Sequence, residues 1–210
     1  MEGENGTWWR LCKAERLLRE IQQDSDTSEN ASAILAQLDF LEQQIRKLRP
    51  NWGFGITLRA RLAFQRGARN EALQYLRSGI SNGDRRIATM LQMTQLLVAL
   101  NRLEEAEAEY SRFERLRDTN TYITSLAATI SQKKGDYEES LRYARRATTF
   151  QTANANSWML LGHTAIVAAR QSSDPLAKER LLAETSQALD KALELSADSS
   201  IPAYHILLRY

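Results

Sequence analysis

Cysteine is nearly missing from this chain. Cys12 stands alone among 210 residues, so no disulfide can close within it. That fits a reducing compartment, and the expected location is cytoplasmic. Histidine is almost as scarce: only His163 and His205 occur, on different predicted helices. There is no HExxH pair, no phosphate-binding Walker loop, no GxSxG elbow and no cysteine–histidine metal spacing. The expectation is a protein that is not an enzyme and holds no cofactor and no metal. No apolar run approaches the roughly 18 residues a membrane span needs. The opening "MEGENGTWWRL" has neither a basic stretch nor an apolar one, so no secretory signal is visible. The formal net charge is only +2, too small to point to nucleic acid or a membrane surface. The three prolines, Pro50, Pro175 and Pro202, lie beside polar turn residues, and glycines number nine. With so few breakers, the chain reads as all-helical.

What is present is a repeat. "GARNEALQYL" from Gly67, "NRLEEAEAEY" from Asn101 and "GDYEESLRYA" from Gly135 each open on a turn residue, with Glu and then a small residue following. The small residues are Ala72, Ala106 and Ser140, 34 apart each time. A 34-residue helix–turn–helix period with a small residue at that place resembles the tetratricopeptide repeat family. In that frame, repeats run over 53–86, 87–120, 121–154 and 155–199, the last holding an insertion. "WMLLG" of the fourth then puts Trp158, Leu161 and Gly162 on the family's signature places. "WWRLC" from Trp8 mirrors it, giving an earlier repeat over about 5–52 with a polar insertion, "QQDSDTSENAS". "SSIPAYHILLRY" reads as the start of a further repeat, 200–210. Repeats one to three lack the Trp and the Leu-Gly pair; Arg59 sits where the pattern has Leu. The resemblance implies one array over 1–210: an all-α, right-handed superhelical solenoid of antiparallel helix hairpins.

Packing and stop signals follow. Small residues mark close helix approaches: Ala60 and Gly162 on first helices, Ala72, Ala106 and Ala192 on second ones. Gly162 lies inside a helix, where it costs about 1 kcal/mol relative to Ala, so a packing role explains it. Trp158 is expected in an inter-helix core. Cys12, at a small-residue place, is expected as a buried thiol. Of Trp8 and Trp9, one is expected to pack inward. Asp136 with Glu139, and Asn101 with Glu104, read as helix caps with their third-position partners. Asn82-Gly83 suits a helix end. "SSDP" starts a long helix over about 175–196, with Pro175 as its first residue. The carboxylates of "EEAEAE" at 104–109 read as a solvated face.

The resemblance also implies a ligand surface, because first helices line the concave side of such arrays. The ninth place of successive repeats holds Arg61, Gln95, Thr129 and His163, all polar, with Lys13 in the earlier repeat. Nearby places carry Phe54, Tyr122 and Asn156, and Thr57, Leu91, Ser125 and Met159. Hydrogen-bonding groups mixed with exposed apolar side chains suit a peptide or partner helix. The same series would also serve as a face kept polar for water. The chaperone-binding clamp known in the family needs Lys and Asn in one repeat, Asn in the next, and Lys and Arg in the third. Those places hold Thr57 and Arg61, Gln92, then Tyr122 and Leu126, so the clamp is absent. The expected function is a protein–protein interaction scaffold. The alternative is a self-assembly module, a homodimer docked through terminal helices at Ile206, Leu207 and Tyr210.

Overall fold

The computed structural model describes residues 6–23, 28–113 and 120–196. The terminal segment 200–210, with His205 and the dimer candidates Ile206, Leu207 and Tyr210, lies outside them. Among the described residues the structure is helical, without strands. The helices are α1 (Thr7–Gln23), α2 (Ser28–Leu48), α3 (Gly53–Gln65), α4 (Arg69–Ser81), α5 (Ile87–Ala99), α6 (Leu103–Tyr110), α7 (Thr121–Lys133), α8 (Tyr137–Phe150), α9 (Ala155–Gln171) and α10 (Pro175–Leu195). Four of them, α3, α5, α7 and α9, begin at Gly53, Ile87, Thr121 and Ala155, successive starts 34 apart.

The chain divides into two compact units, residues 1–100 and 101–210. In the first, α1 packs on α2 and α3 on α4 as hairpins; α2 also meets α3, α1 meets α3 and α4 meets α5. Its core joins Leu11, Leu18, Leu38, Leu41, Ile45 and Leu58. In the second, α7 pairs with α8 and α9 with α10, while α8 and α7 both meet α9. Its core is small-residue rich: Leu141, Ala144, Leu161, Ala165, Ala168 and Ala188. Each helix alone has an apolar stripe it cannot bury, and the hairpin supplies the covering face.

The turns explain the repeat signature. Gly67, Asn101 and Gly135 are 34 apart and all take positive φ, at 77°, 58° and 85°. The left-handed residue lets the next amide reach back and close the helix end: Ala68 N–H donates to Ala63 O and Asp136 N–H to Ser131 O, both at 2.9 Å. Gly83, with φ 96°, ends α4 in the same way. Asn101 is therefore a helix-end residue; the residue before α6 is Arg102, whose side chain makes no cap, so the expected Asn101–Glu104 cap is not formed. Asp136 does cap α8, its Oδ1 accepting from Glu139 N–H at 3.0 Å. The return bond from Glu139 is missing because the Asp136 amide is already committed to Ser131, and Glu139 pairs with Arg142 instead. α10 starts as the sequence indicates, with Asp174 Oδ1 accepting from Leu176 N–H at 3.0 Å and Pro175 first in the helix.

Small residues sit where helices touch. Ala60, Ala72, Ala106 and Ala192 are buried. Ser140, also buried, donates its hydroxyl to Ala128 O on α7 at 2.9 Å. A Cβ on Gly162 would lie 2.9 Å from Leu189 Cδ2. Three expectations change. Trp158 is half-buried, its indole N–H donating to Thr152 O at 2.8 Å, so it closes the α8–α9 connection as much as it fills a core. Cys12 is exposed, on the same outward face of α1 as Trp9 and Arg16 at helical spacing. Neither Trp8 nor Trp9 is buried.

Candidate functional site

The eight candidate residues fall on the two units, four on each. On unit one, α3 carries Phe54 and Arg61, seven residues and two turns apart and so on one face. α5 carries Leu91 and Gln95. Gln95 is exposed and engaged in a polar interaction. Leu91 is only 7% exposed, which corrects its place as a groove residue. The reason is the character of α5: Thr89, Leu91, Met93, Thr94, Leu96, Leu97 and Val98 are all buried, so the helix is enclosed on more than one stripe. Thr57 is likewise withdrawn, fully buried and donating to Gly53 O at 3.1 Å.

Phe54 belongs to a three-ring cluster. Its ring centroid is 5.1 Å from that of Trp8 and 5.4 Å from that of Trp52, and the two tryptophans are 4.8 Å apart, edge to face. The Arg86 guanidinium lies over the Phe54 ring at 4.6 Å and Arg49 over Trp52 at 5.6 Å. Trp8 keeps 47% of its surface exposed despite these contacts.

Arg61 is half-buried and faces Glu15 of α1 at 3.7 Å. Lys13 instead stands over the ring of Trp9, 5.3 Å from its centroid. Glu15 is shared: Arg86 holds it at 2.6 Å and also grips Asp84 with two parallel bonds, at 2.9 and 2.8 Å. Asp84 has no exposed surface and also accepts from Thr89 at 3.1 Å. Burial opposes the Asp84 charge, yet the side-chain and backbone hydrogen bonds from Arg86 outweigh it and hold the carboxyl below its ordinary pKa. For Arg61, burial is the largest influence and lowers the pKa; Glu15 acts against it and the Arg86 charge adds to it.

On unit two, α7 carries Tyr122 and Thr129, and α9, packed on α7, carries Met159 and His163. Tyr122 is 43% exposed, and burial of the rest raises its phenol pKa. Thr129 is half-buried and spends its hydroxyl proton on Ser125 O of its own helix at 2.8 Å. Met159 is half-buried. His163 is exposed, and its imidazole is harder to protonate than usual because it loses water and because Arg170, two turns on, carries like charge.

A polar recess of about 300 Å³ opens between α2, α3 and α4. Its charges are matched inside it: Arg59 binds Glu42 at 2.8 Å, Arg66 binds Asp39, and Tyr75 donates to Glu71 at 2.9 Å. This accounts for Arg59 at a place that the repeat pattern gives to Leu. Its partner Glu42 is buried on the neighbouring α2, and Arg59 also lies over the Tyr75 ring at 5.2 Å. Sequence reasoning missed Glu15, Asp84 and Arg86. The signal for the last two was local: an acid two residues before an arginine, just after the "NG" turn.

No family model matches the sequence, and no curated protein matches it. The fold is similar to solved structures. One is YrrB, described as a TPR protein with an unusual peptide-binding site: 15% identity, TM-score 0.56, covering 93% of this chain and 99% of that one. Another is MamA protein, at 11% identity and TM-score 0.57, covering 93% of this chain and 94% of that one. No helix of the described residues is long and apolar enough to cross a membrane. Helix hairpins in a 34-residue frame, and a likeness that covers nearly all of both neighbours, give this chain the tetratricopeptide-repeat fold.

Proposed function

We propose that the chain is a non-catalytic protein–protein interaction scaffold whose first-helix faces take up a peptide or a partner helix. The observation that carries this reading is the pairing of groups on those faces. Arg61 stands with Phe54 on α3, Thr129 with Tyr122 on α7, and His163 with Met159 on α9, each a polar group with a partly exposed apolar one. That mixture gives orientation through hydrogen bonds and area through apolar contact. A peptide-binding site in a protein of like fold supports it. The unbroken 34-residue frame from Gly53 to Ala155 supports treating the whole chain as one array. An exposed, single Cys12 agrees with work in a reducing compartment.

The test is selection from a displayed library of random peptides on the immobilised chain, repeated with Arg61, Gln95 and His163 all changed to Ala. The expected result is enrichment on the native chain, lost on the variant, while helical circular dichroism and melting stay the same. No enrichment on the native chain, or equal enrichment on both, overturns the reading.

A further inference from the structure

The seam between α1 and α3 has a regular register. Trp8 meets Phe54, and Glu15 meets Arg61. The differences 54 − 8 and 61 − 15 are both 46, so the two helices run side by side in the same direction. Seven residues separate the two contacts on each helix, about 10 Å at 1.5 Å per residue. The seam thus has an aromatic pole, where Trp8 is nearly half exposed, and a cationic pole at Arg61.

The cationic pole is under-supplied with acceptors. A guanidinium offers five N–H donors in a fixed fork. Arg61 makes no hydrogen bond among the described residues; its one ion pair, to Glu15, is 3.7 Å long, beyond hydrogen-bond reach. The Glu15 carboxylate is drawn away, because Arg86 binds it at 2.6 Å. Arg86 itself is better supplied, with two of its donors forked across Asp84 and a third on Glu15. Two arginines therefore face one shared carboxylate, and Arg61 is the one left short. Among the described residues none accepts a hydrogen bond from it, and its side chain keeps 24% of its surface open to an incoming acceptor.

We propose that this seam recognises an acidic peptide, its Asp or Glu carboxylate on Arg61 and a bulky apolar side chain about 10 Å away on the Trp8–Trp52–Phe54 rings. In a polyproline II peptide, with three residues per turn and about 3.1 Å per residue, side chains three residues apart share one face at about this spacing. The inference rests on the scaffold reading above and names the partner's chemistry for unit one.

The library selection separates the two. Peptides enriched on the native chain should carry Asp or Glu three residues from Leu, Phe, Trp or Met. Enrichment without acidic residues overturns this inference while leaving the scaffold reading standing; no enrichment removes both. A synthetic peptide with Leu and Glu at that spacing, labelled with fluorescein, provides the quantitative check at low salt. Exchanging its Glu for Gln should weaken binding about tenfold, as expected for a charge-assisted hydrogen bond. Arg61→Gln should weaken the Glu peptide by a similar factor and leave the Gln peptide unchanged. Arg61→Glu, checked by circular dichroism for intact helix, should turn the preference toward a Lys-containing peptide. Equal binding of the Glu and Gln peptides to the native chain would overturn the assignment.

Discussion

Gly53, the first residue of α3, and Gly79, near the end of α4, approach so closely that neither has room for a side chain. A Cβ on Gly53 would lie 2.6 Å from the Gly79 carbonyl oxygen, and one on Gly79 3.1 Å from that of Gly53. The atoms facing Gly53 are all backbone and cannot rotate aside. Gly53→Ala should therefore destabilise unit one by about 2–3 kcal/mol, the cost of overpacking, against a helix-propensity gain of under about 1 kcal/mol. Urea unfolding followed by circular dichroism measures it. Gly67 has open space around its α-carbon and only its φ of 77° to protect, so Gly67→Ala should cost about 1–2 kcal/mol from conformation alone.

Asp84 should be the most sensitive charged residue of unit one. Asp84→Ala removes the fork from Arg86 and strands a half-buried guanidinium, at an expected cost of about 3 kcal/mol. Because the folded carboxyl titrates below its ordinary value of 3.8, its stabilising effect is present above that pH and is lost as pH falls through the lower folded value. Acid unfolding of the native chain should accordingly be steeper than that of Asp84→Asn, as melting temperatures across an acid pH series will show.

His163 predicts a second, milder pH dependence. Its folded pKa lies below the ordinary 6.5, so the unfolded chain binds the proton first. Stability should therefore drop as pH falls below about 6.5. In His163→Gln this component should be missing, with the acid limb due to the carboxylates unchanged. Following the imidazole proton by NMR through the titration gives the folded value directly.

Trp158→Ala should cost about 2 kcal/mol, below the range for a fully enclosed aromatic, because the ring is only half-buried and its indole N–H is spent on Thr152. Trp158→Phe, which keeps most of the area and loses the donor, should fall between the two. A loss as large as that of an enclosed tryptophan would mean that the side chain is better covered than its exposure indicates.

The helix starts were legible because each is written in nearest-neighbour chemistry. A residue able to take positive φ ends one helix, and an apolar rhythm resumes at a fixed distance. The long α10 was legible from Asp174, Pro175 and the leucines that follow. What the order of residues does not carry is who stands across a seam. Leu91 looked like a groove residue because its repeat position is one, but the burial of α5 is decided by how many of its own faces are apolar. Arg61 was found from the repeat; the carboxylate opposite it, Glu15, was not, since it lies two residues beyond Lys13, the position the pattern matched. Asn101 reads as the start of α6 but closes the end of α5, because Asn serves both a left-handed helix end and a helix start. Only the dihedral of 58° distinguishes them.

The caps of unit two carry one further consequence. Asn120 accepts from Tyr122 N–H at 2.9 Å to begin α7, and Asn154 accepts from Asn156 N–H at 3.0 Å to begin α9. Excising residues 121–154 would bring Asn120 directly before Ala155, and the shortened chain would meet α9 with the same initiating residue it has now. Copying that stretch would leave every junction equally intact. Across these two repeats the natural step of evolutionary or engineered change is a whole module of 34 residues, because it keeps an Asn in front of each first helix.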